Sequence, residues 1–467
     1  MIPATKLVCT LGPASADRVP DLVAAGMSVA RINLTHGGRD QHEALLSAVR
    51  TAAQEAGRPV GVMTDLSGPK VRLGELEGGE LMLATGQRFV LRADTGPGDA
   101  TAAPVSHPGL GADLEPGDRV LLADGVVELR VTETGSDVVT EVVRGGRIRS
   151  RAGVNVPSER LSLPAITPKD EEDIRWVVQA GVDMVAQSFV RHDYDVRALA
   201  GLLGDPRPLL VAKVETRPAV DAAESILEAA DAVMVARGDL GVETALEEIP
   251  VLQKRLVALA NAMAKPAIIA TQMLESMTRS PQPTRAEASD AAGAVFEGAD
   301  AILLSAETAV GQHPVETVRT AARILEVAET EGTAFVPRPG EMEAVAAEEV
   351  GLARAAAVVA ERDRAAAIAC YTVSGTTARL LSAARPRVPV VAFSPDPRTV
   401  GRLTLFRGVT PVLAEEAPDT DAMIEMMDGR VREVAGVTAG QHVVMVASSP
   451  AGRAHANLLK LHRIGVT

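Results

Sequence analysis

Three charged residues in the middle of this sequence have the types and spacing for metal-assisted phosphoryl chemistry. Glu215 and Asp239 are hard oxygen donors closing two successive apolar runs, LLVAKVE (209–215) and DAVMVARGD (231–239). With substrate oxygens and water they would complete an octahedral Mg2+ (or Mn2+) site. Lys213 lies two residues before Glu215, so on an extended strand both side chains fall on one side. A lysine beside a metal is placed to stabilise a transferring phosphoryl group. Arg31 and Arg72 add positive charge, and a guanidinium offers phosphate a bidentate fork. The same residues can also be read as a structural ion cluster, with Glu215 and Asp239 paired to Lys213 and Arg237. The sequence has no Cys/His ligand cluster, which disfavours zinc.

Other polar residues end neighbouring apolar runs. Asn33, Thr35 and His36 follow Arg31, and Asp65 precedes Lys70 and Arg72. Gly238 adjoins Asp239, with Glu243 further on; Thr271, Gln272 and Glu275 close a seventh run, and Ser305, Glu307 and Thr308 an eighth. Together they describe a metal-dependent enzyme acting on an anionic, phosphorylated small molecule.

The runs that carry these residues define the scaffold. They are TKLVCTLG (5–12), VARINLTH (29–36), VGVMTDLSG (60–68), VDMVAQSF (182–189), LLVAKVE, DAVMVARGD, PAIIATQ (266–272) and DAILLSAET (300–308). Each reads as a buried parallel strand, and helical segments separate them. After the sixth run, Leu246, Ile249, Leu252, Leu256, Leu259 and Met263 recur at spacings of three and four, one apolar helix face. Eight such units predict an α/β fold. A doubly wound sheet would share the alternation, but polar residues gathered at the C-terminal strand ends favour a (β/α)8 TIM barrel.

The pattern breaks at 70–152, where glycines and short alternating stretches predict an inserted small β-barrel lid domain; Asp124-Gly125 marks a hairpin there. After about 332, an Ala-rich helical stretch (343–362) leads to the runs AAIACYT (366–372), VPVVAFSP (388–395) and HVVMVASS (442–449), a C-terminal α/β domain. The expected boundaries are 1–69 and 153–331 for the barrel, 70–152 for the lid and 332–467 for the C-terminal domain. In the last, TVSGTTARLL (372–381) sets Ser374, Gly375, Thr376 and Thr377 at a helix start, a phosphate-binding nest or an ordinary cap loop.

Composition bounds the rest. The chain has 467 residues, 46% hydrophobic and 23% charged, enough apolar content for packed cores. Aromatics are only 2%, so Ala, Val, Leu and Ile must fill those cores. A net charge of −14 argues against nucleic-acid binding, because a phosphate backbone is repelled. Two cysteines, Cys9 and Cys370, are too few for a disulfide framework and fit a reducing cytosol. No basic N-terminal region precedes a long apolar stretch, and no apolar run approaches the roughly 18 residues of a membrane span. A cytoplasmic chain without membrane partners is expected.

Longer motifs narrow the reading. TKLVCTLGPAS (5–15), VARINLTHG (29–37), DLSGPKVR (65–72), AKVETR (212–217), MVARGDLGVE (234–243), ATQMLESM (270–277), PTRAEASD (283–290) and LLSAETAVGQHP (303–314) occur in this order. The sequence resembles the pyruvate kinase family over essentially its whole length. That resemblance implies phosphoryl transfer from phosphoenolpyruvate to ADP in glycolysis, giving pyruvate and ATP, and a homotetramer with a phosphorylated allosteric effector. It matches Lys213 to the lysine that stabilises the transition state, Glu215 and Asp239 to the divalent-metal ligands, and Arg31 to a substrate phosphate contact. Gly238, Asp239 and Thr271 match substrate-carboxylate positions; Arg72, His36 and Asn33 match the nucleotide side. Asn33, Thr35 and Asp65, with the Leu66 carbonyl, match a monovalent-cation site. Thr271, Ser305 or an ordered water would protonate the enolate. The loop of Ser374, Gly375, Thr376 and Thr377 corresponds to the family's effector loop.

Some positions depart from the common pattern. Thr35 stands where Ser is usual, Leu66-Ser67 replaces Thr-Lys, Ala306 replaces Gly, and His192 stands where a nucleotide-contacting lysine often sits. Lys70 replaces a Glu found in many members. Members with Lys here are typically independent of K+, so the monovalent site is expected to be vestigial and K+ dispensable.

Overall fold

The computed structural model describes residues 3–331, 347–448 and 456–465. Eight parallel strands close into a barrel in sequential order: Lys6–Thr10, Val29–Asn33, Gly61–Asp65, Met184–Gln187, Leu209–Val214, Ala232–Ala236, Ala267–Ala270 and Ala301–Leu304. Register is continuous around the ring; Cys9 pairs with Leu304 on one side and Ala30 on the other, closing it. Side chains alternate across the strands. Val8, Met63, Met184, Val211, Met234 and Ile268 fill the interior, while Leu7, Cys9, Ile32, Val62 and Leu210 face the helices. Both faces are therefore dry, which is why each strand reads as a near-continuous apolar run. Cys9 is core filler: burial pushes its thiol far above the usual range.

The sixth strand runs into a short helix, Arg237–Glu243, and the longer helix that follows spans Ile249–Ala262 and buries Ile249, Leu252 and Leu256. Leu246, expected on that face, lies before it in a short 3-10 turn and is 77% exposed. The spacing continued one turn beyond the helix, because Pro250 at its first positions fixes the start there.

The insertion is mostly β, with one short α-helix at Leu110–Asp113. Its six-stranded sheet runs, by neighbour, Val154–Asn155, Arg119–Leu122, Val127–Glu133, Val138–Arg144, Arg88–Arg92 and Ala102–Pro104; a ribbon pairs Glu80–Leu83 with Gly146–Arg149. Sheet and ribbon share one core of Leu83, Phe89, Leu91, Leu129, Val142 and Ile148. The expected hairpin is present: Ala123, Asp124 and Gly125 all have positive φ between Arg119–Leu122 and Val127–Glu133.

The C-terminal sheet has the order Val409–Leu413, Val390–Ser394, Ala367–Tyr371, His442–Ala447 and Leu458–Arg463, the last antiparallel. The Ala-rich helix is described from Ala347 to Arg362; the earlier part of its expected span, residues 343–346, and residue 449 of the last expected run lie outside the described residues. This domain packs under the barrel floor, and Leu380, Leu403, Phe406 and Val409 continue the barrel's interior core. The contact is close enough to require glycine: a Cβ on Gly61 would stand 2.2 Å from Thr404 Oγ1 and 3.0 Å from the Gly401 carbonyl. Lys6 is wholly buried at this junction and donates to the Val409 carbonyl at 2.7 Å; burial, with Arg58 beside it, lowers its pKa to about 8.

Candidate active site

The C-terminal strand ends converge on a buried charge cluster. Lys213 and Glu215 leave the fifth strand on one side, with Lys213 Nζ 2.9 Å from Glu215 Oε1. The same ammonium lies 3.2 Å from Asp65 Oδ1 and donates to Ser188 Oγ at 2.7 Å. Burial would neutralise Lys213, but Asp65 and Glu215 more than offset it and hold the lysine charged, above its ordinary pKa. Asp65 sits at the end of the third strand. Burial acts against its charge, yet Lys213 and Arg31 hold it well below the usual carboxylate range. Its Oδ2 accepts from Arg31 Nε at 2.7 Å, and Arg31 Nη1 also donates to Thr10 Oγ1 at 2.9 Å.

Glu215 Oε2 accepts the Phe189 N–H at 2.8 Å. Burial first, and then the charge of nearby Asp239, push this carboxyl up. The two carboxylates repel one another, and a divalent cation taken by both would relieve that repulsion, so the donor set fits one. Among the described residues no group of three or more His, Cys, Asp or Glu is arranged to hold a metal. Two carboxylates suit Mg2+, which keeps several waters and takes substrate oxygens rather than an all-protein cage. Lys213 does pair with Glu215, as an ion-cluster reading expects. Arg237 does not join it: its guanidinium is 2.7 Å from Asp290 Oδ2 and donates to the Thr271 carbonyl.

The surrounding loops are pinned. Asp170 Oδ1 accepts the N–H groups of Ser67 and Gly68, fixing the turn after the third strand. Gly68 has φ +64, and a Cβ there would come within 3.0 Å of the Ser188 carbonyl. Thr271 and Gln272 have φ of +71 and +55, and Phe189 +53. Each such non-glycine residue costs about 1–3 kcal/mol, and such strain gathers at functional sites. Glu307 is fully buried and accepts from the N–H groups of Ser305 (2.6 Å) and Leu274 (3.1 Å), tying the eighth-strand loop to the seventh.

Not every expected contact takes the expected form. The Gly238 N–H, assigned to a substrate carboxylate, donates to Thr271 Oγ1 at 2.8 Å. The Leu66 carbonyl accepts the Ser188 hydroxyl at 2.7 Å, and Asn33 Oδ1 accepts the Thr35 N–H at 3.1 Å. Lys70, expected near the monovalent site, places its ammonium 2.7 Å from Asp239 Oδ1 and 3.9 Å from Asp124 Oδ1. His36 shares the site's positive field: burial, Arg72 and Arg31 all lower its pKa. Arg72 bridges to Gly153 and donates to the Arg151 carbonyl at 3.2 Å. His192 precedes the helix Asp193–Leu203, its ring stacked on Tyr194 with centroids 4.9 Å apart.

Sequence reasoning missed Ser188 and Thr10. Both carry a hydroxyl at or just past the C-terminal end of a barrel strand, the fourth and the first. That position was the available signal. It also missed the pair between Ser158 Oγ and Glu243 Oε2 (2.7 Å) where the chain returns from the lid; burial raises Glu243 to about 7.

In the C-terminal domain, Ser374 and Gly375 follow the strand Ala367–Tyr371, and Thr376 and Thr377 open the helix Thr376–Ala383. Gly375 has φ +89 and donates its N–H to Thr372 Oγ1, and the Ser374 and Thr376 hydroxyls are 3.1 Å apart.

Comparison with known proteins agrees with this geometry. The pyruvate kinase barrel-domain family matches residues 2–318, and the pyruvate kinase alpha/beta-domain family matches 351–462. A pyruvate kinase of Corynebacterium efficiens is 41% identical over 99% of this chain and 98% of its own. One from Mycobacterium tuberculosis is 42% identical over 98% of each. The crystal structure of a pyruvate kinase from Cryptosporidium parvum superposes with a TM-score of 0.89 at 32% identity, covering 99% of this chain and 96% of that one. The chain belongs to the pyruvate kinase family, the phosphotransferases that move the phosphoryl group of phosphoenolpyruvate to ADP in glycolysis.

Proposed function

We propose that Lys213 is the residue on which the transfer turns. The carrying observation is its position: a buried, charged ammonium held by Asp65, Glu215 and Ser188 at the barrel mouth. A fixed positive charge in a dry site stabilises charge developing on the transferring group and on the enolate oxygen, at no reorganisation cost. Glu215 and Asp239 would hold the divalent cation, and members of the family generally use Mg2+ and K+. When bound, Mg2+ (or Mn2+) supplies neutralisation of the substrate and the phosphoryl oxygens.

Arg31 positions the phosphate. Asp65 and Thr10 fix its plane, and both terminal nitrogens keep N–H groups for phosphate oxygens. Thr271, with Gly238, holds the carboxylate; the Gly238 N–H leaves Thr271 Oγ1 as substrate enters. Arg72, His36 and Asn33 receive ADP. Its terminal oxygen attacks phosphorus, the bond from phosphorus to the enol oxygen breaks, and a proton from Thr271, Ser305 or water completes pyruvate.

K+ is dispensable in this reading. Asp65, which would ligate it, is already engaged by Arg31, Lys213 and Ser188, and Lys70 brings a permanent charge to Asp239 at the same barrel mouth. A homotetramer, a phosphorylated effector at Ser374, Gly375, Thr376 and Thr377, and a cytoplasmic location complete the proposal. No described helix is long and apolar enough to cross a membrane. A coupled assay for pyruvate formed from phosphoenolpyruvate and ADP with Mg2+ tests the reading; absence of turnover with every nucleoside diphosphate would reject it.

A further inference from the structure

Lys70 contacts the barrel, the lid hairpin and the segment that returns from the lid. It lies in the segment that leaves the barrel for the lid. Its Cε lies 3.1 Å from where a Cβ on Gly153 would be, and Gly153 belongs to the returning segment. Its ammonium is 2.7 Å from Asp239 Oδ1 on the barrel and 3.9 Å from Asp124 Oδ1 on the lid hairpin. It also lies 5.8 Å from the Phe189 ring centroid, whose backbone N–H holds Glu215. Lys70 and Asp239 are both mostly shielded, at 21% and 24% exposed, whereas Asp124 is open at 78%. The bond to Asp239 therefore dominates, and that to Asp124 is weak.

We propose that Lys70 is a tethered cation competing with the divalent metal for Asp239. In the metal-free protein the ammonium neutralises Asp239 and draws the lid base onto the barrel. A divalent cation taking Asp239 displaces Lys70, so metal binding and lid position are one linked equilibrium: whatever favours one state of the lid must shift metal affinity reciprocally. The freed ammonium is then available to the anionic substrate. This rests on the assignment of Asp239 as a metal ligand.

The test is Mn2+ binding to the substrate-free protein, read by loss of the free-ion EPR signal. Lys70→Met should bind Mn2+ about fivefold more tightly than wild type, since a partly shielded ion pair and a like charge are both removed. Lys70→Arg, which keeps the charge, should stay near wild type, and Asp239→Asn should bind much more weakly. A second reading uses a fluorophore pair on the lid sheet and a barrel helix. Mn2+ alone should shift energy transfer in wild type and leave Lys70→Met unmoved. Equal Mn2+ affinity in wild type and Asp239→Asn would overturn the metal assignment itself. A weakened Asp239→Asn alongside a Lys70→Met that binds no tighter would overturn the competition alone.

Discussion

The Lys213 ammonium donates to the Ser188 hydroxyl at 2.7 Å, and that hydroxyl lies 2.7 Å from the Leu66 carbonyl. Ser188 thus links the fourth strand's end to the turn after the third, and aims the lysine between Asp65 and Glu215. Hydrogen bonds to charged groups contribute roughly 1.5–3 kcal/mol. Ser188→Ala should therefore lower kcat by about tenfold or more while changing KM for phosphoenolpyruvate by less than about threefold. Ser188→Thr, which keeps the hydroxyl, should recover most of the loss. Steady-state kinetics on the two variants decide it; equal losses would mean a packing role.

Glu215→Gln and Asp239→Asn should each raise the Mg2+ concentration needed for half-maximal activity. Each removes one formal charge from a hard-cation site. Mg2+ titrations at saturating substrates measure this, and unchanged curves for both variants would reject the site.

K+ should not be required. Two unit charges at about 4 Å and an effective dielectric near 20 interact by roughly 4 kcal/mol, so a cation close to the Lys70 ammonium is disfavoured. In a buffer whose only monovalent cation is tetramethylammonium, adding K+ should raise kcat by less than about tenfold. Lys70→Glu should create a K+ dependence. A larger stimulation of wild type would refute the assignment.

A sugar phosphate or nucleoside monophosphate should bind at Ser374–Thr377 and lower the apparent KM for phosphoenolpyruvate. It can do so only by binding the active state more tightly. Thr376→Glu places a negative charge at the helix start and should abolish the response. If a panel of phosphorylated metabolites leaves KM and cooperativity unchanged, the loop is structural.

The barrel was legible because both faces of its strands are dry: Val8 and Met63 point inward, Cys9 and Val62 outward, and none interrupts an apolar run. Lys213 and Glu215 were legible together because a two-residue spacing is enough to place them on one side. Leu246 was misplaced because periodicity alone does not mark a helix start, whereas the proline four residues on does. The partner of Lys70 was not legible at all. Residues 70 and 239 are 169 apart in sequence, and no spacing or periodicity in either segment pairs them.

The most direct test of the account is the turnover of Lys213→Met. Substrate binding should survive, since Arg31 and Thr271 remain, while kcat should fall by about 10²–10³-fold or more on losing the charge that the transition state meets. Removing one partner from a buried charge cluster also costs roughly 3–5 kcal/mol of stability, so circular dichroism and a thermal melt should establish that the variant is folded at assay temperature. A folded Lys213→Met that binds phosphoenolpyruvate and barely turns over is the predicted result; a folded variant within a few-fold of wild-type kcat would contradict the central assignment.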